Sequence, residues 1–147
     1  MEQERERESR NDYRHFTALA TRWSDNDAYG HLNNVVHYAL FDTAVNQALV
    51  KAGLLDIAHG PVIGLVVETG CRYFEALAFP GTLDAALRVA RIGRSSVRYE
   101  IAIFAPGMDL AAAQGHFIHV YVDRQSRRPV ELPADLRAFL ETLQLAR

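Results

Sequence analysis

Apolar and polar positions change their period several times along this chain, and each change predicts an element. Between Phe16 and Trp23 they alternate loosely, as in a strand, until the polar run Ser24-Asp25-Asn26-Asp27. Asn33 or Asn34 can then cap a helix in which Val35, Tyr38, Phe41, Val45, Ala48, Leu49 and Ala52 recur at three- and four-residue spacing up to Gly53. Val36, Leu40 and Ala44 add a second apolar stripe, which predicts burial on more than one side and therefore a central helix. Four runs rich in Val, Ile, Tyr and Phe follow, near Val62 to Phe74, Leu83 to Ile92, Val97 to Phe104 and Leu110 to Val122, and read as strands. Leu83, Ala85, Leu87 and Val89 share one face of their strand while Asp84 and Arg88 fall on the other, so one face should hold the helix.

The punctuation between these runs is Pro80-Gly81, Arg91-Ile92-Gly93-Arg94 and Pro106-Gly107, each short enough for an antiparallel connection. An antiparallel meander is predicted. Leu136, Phe139, Leu140 and Leu143, after Pro129 and Pro133, read as a short closing helix. The order is strand, long helix, four strands, helix, which is an α+β class.

Composition narrows the picture. The chain has 147 residues, 49% hydrophobic and 23% charged, the proportions of an ordinary single globular domain. A formal charge of -2 lacks the basic excess that nucleic-acid phosphates require. Glu and Arg alternate through the first ten residues without apolar partners, so residues 1–12 are expected as a disordered charged tail and 13–147 as one domain. Nothing resembles a signal peptide or a membrane span, and the single cysteine, Cys71, suits a reducing compartment, so a cytoplasmic protein is expected, with neither membrane nor nucleic acid as partner.

Candidate chemistry concentrates in residues 21–34, between the first strand and the long helix. A helix amino terminus offers unpaired N–H groups and partial positive charge, suited to an oxyanion, and Asn34 N–H is the candidate donor. A carboxylate just upstream, Asp27, can attack a carbonyl or take a proton from water. Gly30 lets the backbone turn tightly, and His31 supplies a donor or acceptor nearby.

The run Asp25-x-Asp27-x-x-Gly30-His31-x-Asn33-Asn34 before a helix resembles the signature of the 4-hydroxybenzoyl-CoA thioesterase-like branch of the hotdog superfamily, and matches it at every named position. The resemblance extends over about residues 16 to 143 and implies the hotdog fold, an antiparallel sheet wrapped around one long helix. It implies hydrolysis of an acyl-CoA thioester, with Asp27 as nucleophile or general base, Asp25 organising the loop and Asn34 N–H as oxyanion donor. The segment from Val89 to Ser96 looks like the family's hairpin that approaches the coenzyme A arm, making Arg94, Ser95 and Ser96 candidate ligand contacts. Gly30 and Tyr38 join them as substrate-binding candidates. No cofactor is implied beyond the coenzyme A carried by the substrate. The resemblance also implies active sites between subunits of a homodimer or homotetramer. In the helix this chain has Asp42-Thr43-Ala44-Val45 where family members frequently carry Glu-x-Ala-Arg, so acyl preference is not carried over.

Other readings compete residue by residue. Asp27 alone would suit a cap or turn, and His31 could hold the loop as readily as touch substrate. Arg91, Arg94, Arg98, Arg124, Arg127 and Arg128 could meet phosphates or remain solvated. Glu68 could be a second acid or base. His116 and His119, three apart in a strand, point to opposite faces and predict no metal site. The functional alternatives are a thioesterase acting on acyl-acyl-carrier protein and a non-catalytic acyl-CoA-binding module.

Overall fold

Extended backbone forms where apolar residues alternate, and a helix where they recur every three or four. The computed structural model describes residues 7–145. The elements are β1 (His15–Ala20), α1 (Asn34–Lys51), β2 (Val62–Tyr73), β3 (Thr82–Ile92), β4 (Ser96–Phe104), β5 (Ala113–Asp123) and α2 (Ala134–Thr142). All five strands pair antiparallel in the order β1-β3-β4-β5-β2, and α1 lies across one face of this sheet, against β2, β3, β4 and β5. This is the α+β arrangement that the order of elements predicts and the hotdog architecture that the family resemblance implies.

The connectivity differs from a simple meander. β3, β4 and β5 are consecutive neighbours, but β2 pairs with β5, with Val62 opposite Asp123 and Tyr73 opposite Ala113. Residues 74–81 are thus a crossover to the other side of the sheet, not a hairpin. Turn residues such as Pro80 and Gly81 specify a reversal of direction without specifying the pairing partner. On its way the crossover passes the amino end of α1 and buries Leu77 there.

The two apolar stripes of α1 merge into one broad face. Leu40, Phe41, Ala44, Val45, Ala48 and Leu49 are buried, whereas Val35, Asp42, Thr43 and Val50 are exposed, so within one chain the helix is covered on one side and not on several. Its approach to the sheet is close at Phe41. A Cβ at Gly115 would stand 2.5 Å from the Gly70 carbonyl oxygen and overlap the Phe41 ring, so only glycine admits the ring there.

Two boundaries move. β1 ends at Ala20, and Trp23–Asp25 coil into a 3₁₀ turn instead of extending it; Trp23 is 84% exposed and lies edge-on to Phe79. β5 begins at Ala113, because Leu110 is held in an isolated bridge with Ser9.

That bridge belongs to a larger correction. Residues 7–12, expected as part of a solvated tail, dock on the sheet face opposite α1. Arg7 Nε donates to the Ala111 carbonyl at 3.0 Å, Arg10 pairs with Asp84 at 2.9 Å, and Glu8 pairs with Arg88, which also bonds Glu100. Beneath them Tyr13, Ala86, Ala102, Phe104 and Ala111 form a second small core. Residues 1–6 lie outside the described residues. At the other end of the chain α2 packs on β3 and adds Leu136 and Leu140 to the main core, joined by Leu143 just past its end. Among the described residues no helix is long and apolar enough to cross a membrane.

Candidate active site

The loop between β1 and α1 is built around two carboxylates with different surroundings. Asp25 is 2% exposed; its oxygens accept from the Arg22 amide at 2.7 Å and from the Arg22 guanidinium at 2.9 and 3.1 Å, while its carbonyl accepts Asn33 N–H at 2.9 Å. Asp27 is half-buried. Its Oδ1 accepts Tyr29 N–H at 2.8 Å and His31 N–H at 3.3 Å, and its own N–H donates to the His31 carbonyl at 2.7 Å. The loop thus holds the carboxylate through Oδ1, and among the described residues Oδ2 is left to meet water or a substrate. Gly30, with φ +81°, takes the left-handed conformation that closes this turn, and its N–H donates to the Asp27 carbonyl at 3.1 Å.

The amino end of α1 follows directly. Asn33 caps it, with Oδ1 accepting Val35 N–H at 3.1 Å, and the Asn33 carbonyl accepts Val36 N–H at 2.9 Å. Asn34, the first helical residue, therefore presents an amide with no helical acceptor. One turn on, His37 is 3% exposed; its Nδ1 lies 3.3 Å from the Asn33 carbonyl, and its ring meets Tyr73 edge-on at 4.8 Å between centroids. Burial lowers the His37 pKa, partly offset by the carbonyls of Asn33 and Asn34. Tyr73, at the end of β2, donates its hydroxyl to the Asn34 carbonyl at 3.2 Å.

These pieces enclose a cleft of about 360 Å³ lined by Asp27, His31, Asn34, His37, Tyr73 and the crossover from Phe74 to Leu77. The crossover is fastened to the loop by Leu32 N–H on the Leu77 carbonyl at 2.6 Å and by Asn26, which accepts Phe79 N–H at 2.9 Å. Glu75, on the cleft wall, lies 3.2 Å from Arg7. Among the sequence candidates, Asp27, His31 and Asn34 meet here, with Gly30 in the supporting turn. Tyr38 is half-buried beside Tyr73 and edge-on to Phe41 at 6.2 Å.

Other candidates stand apart. Arg94, Ser95 and Ser96 form the β3–β4 hairpin at the opposite end of the sheet; on β5 the distance from Ala113, beside Tyr73, to Val120, beside Ser96, is about 24 Å at the usual strand rise. Glu68 is on the outer face, 2.8 Å from His116. His119 faces inward, buried against Tyr99, with Nε2 unpaired among the described residues. Among the described residues no group of His, Cys, Asp or Glu is arranged to hold a metal ion.

Sequence reasoning missed His37, Tyr73 and Glu75. His37 was accessible to it, because three residues after Asn34 is the same helix face. Tyr73 and Glu75 reach the cleft through the crossover.

A family model described as the thioesterase-like superfamily matches residues 21–140. No curated protein matches the chain. Among solved structures, the PA5185 protein of Pseudomonas aeruginosa strain PAO1 is 54% identical, with a TM-score of 0.93 over 95% of this chain and 98% of that one. The PA2801 protein of the same species is 25% identical, with a TM-score of 0.78 over 86% of this chain and 97% of that one. Slr0204, a 1,4-dihydroxy-2-naphthoyl-CoA thioesterase from Synechocystis, shares the fold at 16% identity, with a TM-score of 0.75 over 85% and 93% of the two chains.

Proposed function

The chain belongs to the thioesterase-like superfamily, and from that premise we propose that it hydrolyses an acyl-coenzyme A thioester to free acid and thiol. The observation that carries this reading is the sharing of one cleft by the Asp27 carboxylate and the amino end of α1. With the thioester carbonyl oxygen toward Asn34 N–H, the amide and the helix end stabilise the negative charge that forms when the carbonyl is attacked, a contribution of about 10²–10³ in rate for one such donor. Asp27 Oδ2 either takes the proton of an attacking water or attacks the carbonyl itself, giving an anhydride that water then opens. In both routes the carbon–sulfur bond breaks, the thiolate leaves and takes up a proton, and one water is consumed.

The hairpin residues enter this reading through a second copy of the chain. β2 is an edge strand with Leu65, Val66 and Val67 exposed, and an exposed strand edge is a template for pairing. Antiparallel pairing of two β2 strands about a two-fold axis sets the Tyr73 end of one beside the Val62 end of the other. The Val62 end is also the hairpin end, since Val62 faces Asp123 and Tyr121 N–H bonds the Ser95 carbonyl. In such a homodimer, or a homotetramer built from it, the Arg94, Ser95 and Ser96 of one subunit would approach the cleft of the other and meet the coenzyme A arm.

The test is thiol release from short, long and aryl acyl-CoAs by the purified protein and by Asp27→Asn. Turnover lost in the variant is the expected result. Equal rates would remove Asp27 from the reaction, turnover confined to acyl-carrier-protein thioesters would replace coenzyme A, and tight binding without turnover would make the protein a binding module.

A further inference from the structure

We propose that His37, outside the signature run, is a positioning residue that sets the direction and donor strength of the Asn34 amide, an inference that rests on the thioesterase reading above. The Asn33 carbonyl and the Asn34 N–H are two ends of one planar peptide group, so whatever holds the oxygen aims the hydrogen. Val36 N–H at 2.9 Å and His37 Nδ1 at 3.3 Å both reach that oxygen. A carbonyl only accepts, so Nδ1 carries the hydrogen and Nε2 of the neutral ring does not. A second bond to the carbonyl polarises the peptide and makes its N–H a stronger donor.

The next peptide is held from the sheet. Tyr73 donates to the Asn34 carbonyl at 3.2 Å, and the Tyr73 ring packs edge-on against His37, with an interplanar angle of 88°. β2 thus braces the imidazole, and the imidazole braces the helix end. A neutral ring suits this task, because an imidazolium would face the positive end of the helix dipole. Asp27 and His31 from the loop and Tyr73 and Glu75 from β2 and the crossover line the same cleft.

The experiment combines nitrogen-15 NMR with steady-state kinetics on the intact protein. In the unsubstituted protein His37 is expected as the Nδ1–H tautomer; the Nε2–H tautomer would overturn the proposal without any variant having to fold. His37→Phe keeps the ring and its contact with Tyr73 but loses the donor, and His37→Gln returns a donor. The Asn34 amide resonance should move upfield in His37→Phe and return toward its original position in His37→Gln. On the best acyl-CoA, kcat should fall about tenfold in His37→Phe with KM within about twofold, and His37→Gln should recover most of it. Turnover with the Asn34 resonance and kcat both indifferent to His37 would overturn the proposal and leave the thioesterase reading standing. No thioester turnover by the unsubstituted protein, with the resonance still answering to His37, would overturn the reading and, with it, the catalytic role, while the hydrogen bond stood.

Discussion

At the Tyr73 end of the sheet, polar groups converge on a cleft; at the Ser96 end, the comparable groups are already bonded within the protein. The hairpin carbonyls of Gly93, Arg94 and Ser95 accept from Arg137 at 2.8 Å, Leu132 N–H at 2.9 Å and Tyr121 N–H at 2.7 Å, and Gly93 N–H bonds the Ser96 carbonyl at 2.7 Å. What the hairpin leaves over is side chain, chiefly the exposed Arg94. The motif end leaves over a helix amide and a carboxylate oxygen. In the proposed function the hairpin's side chains would grip a phosphate, and the bond-breaking step would use the amide and carboxylate at the other end.

The comparison is broken most sharply by Asp27→Asn. Its kcat on acyl-CoA is expected to fall about 10²–10⁴-fold. The melting temperature should stay within about 2 °C, because the carboxamide oxygen can still accept the amides of Tyr29 and His31. Single-turnover thiol release and a thermal melt check both halves. A large fall in melting temperature would make Asp27 a structural residue.

Acid is expected to act on both ends together, through His119. Burial pushes its pKa down to about 4, against a mild opposing pull from Asp42. Between pH 6.5 and about 4 the unfolded chain binds a proton that the folded chain refuses, so stability falls as pH drops through that window. The loss is up to about 3 kcal/mol at its acid end. Urea midpoints measured from pH 7 to 4 should show this slope, and His119→Phe should flatten it.

Smaller effects should separate the two ends. Asn33→Ala removes the cap of α1 and is expected to cost about 1 kcal/mol of stability, with a several-fold fall in kcat as the Asn34 peptide loosens. Calorimetry and initial rates report the two parts. Arg94→Ala should leave kcat unchanged and raise KM for acyl-CoA by about threefold, an effect that fades with added salt. A kcat change there would mean that the hairpin does more than hold the substrate.

What could be read in the sequence was whatever lay contiguous in it. The loop from Asp25 to Asn34 keeps its carboxylate, glycine and caps within one short run, so their meeting follows from local rules. The strands were legible because alternation is local too. Pairing partners are not local: Tyr73 and Glu75 reach the cleft because β2 crosses to β5, and no turn residue encodes that choice. Arg7, Glu8 and Arg10 read as a solvated run because their partners, Glu75, Arg88 and Asp84, lie far along the chain on other elements. In α1 two apolar stripes suggested two covered sides, yet on a helix as close to the sheet as Phe41 requires they make one wide face.

The crossover also fixes when the site comes into being. Asn26 and Phe79 are 53 residues apart in sequence, so their contact closes one of the longer loops at the site. A folding chain must bear that entropic cost before the reward of a finished motif loop, whereas β3, β4 and β5 join through short connections. On the proposed reading, regain of thioesterase activity during refolding is therefore expected to trail the growth of the sheet, and a chain that has assembled only its central hairpins is expected to be catalytically silent.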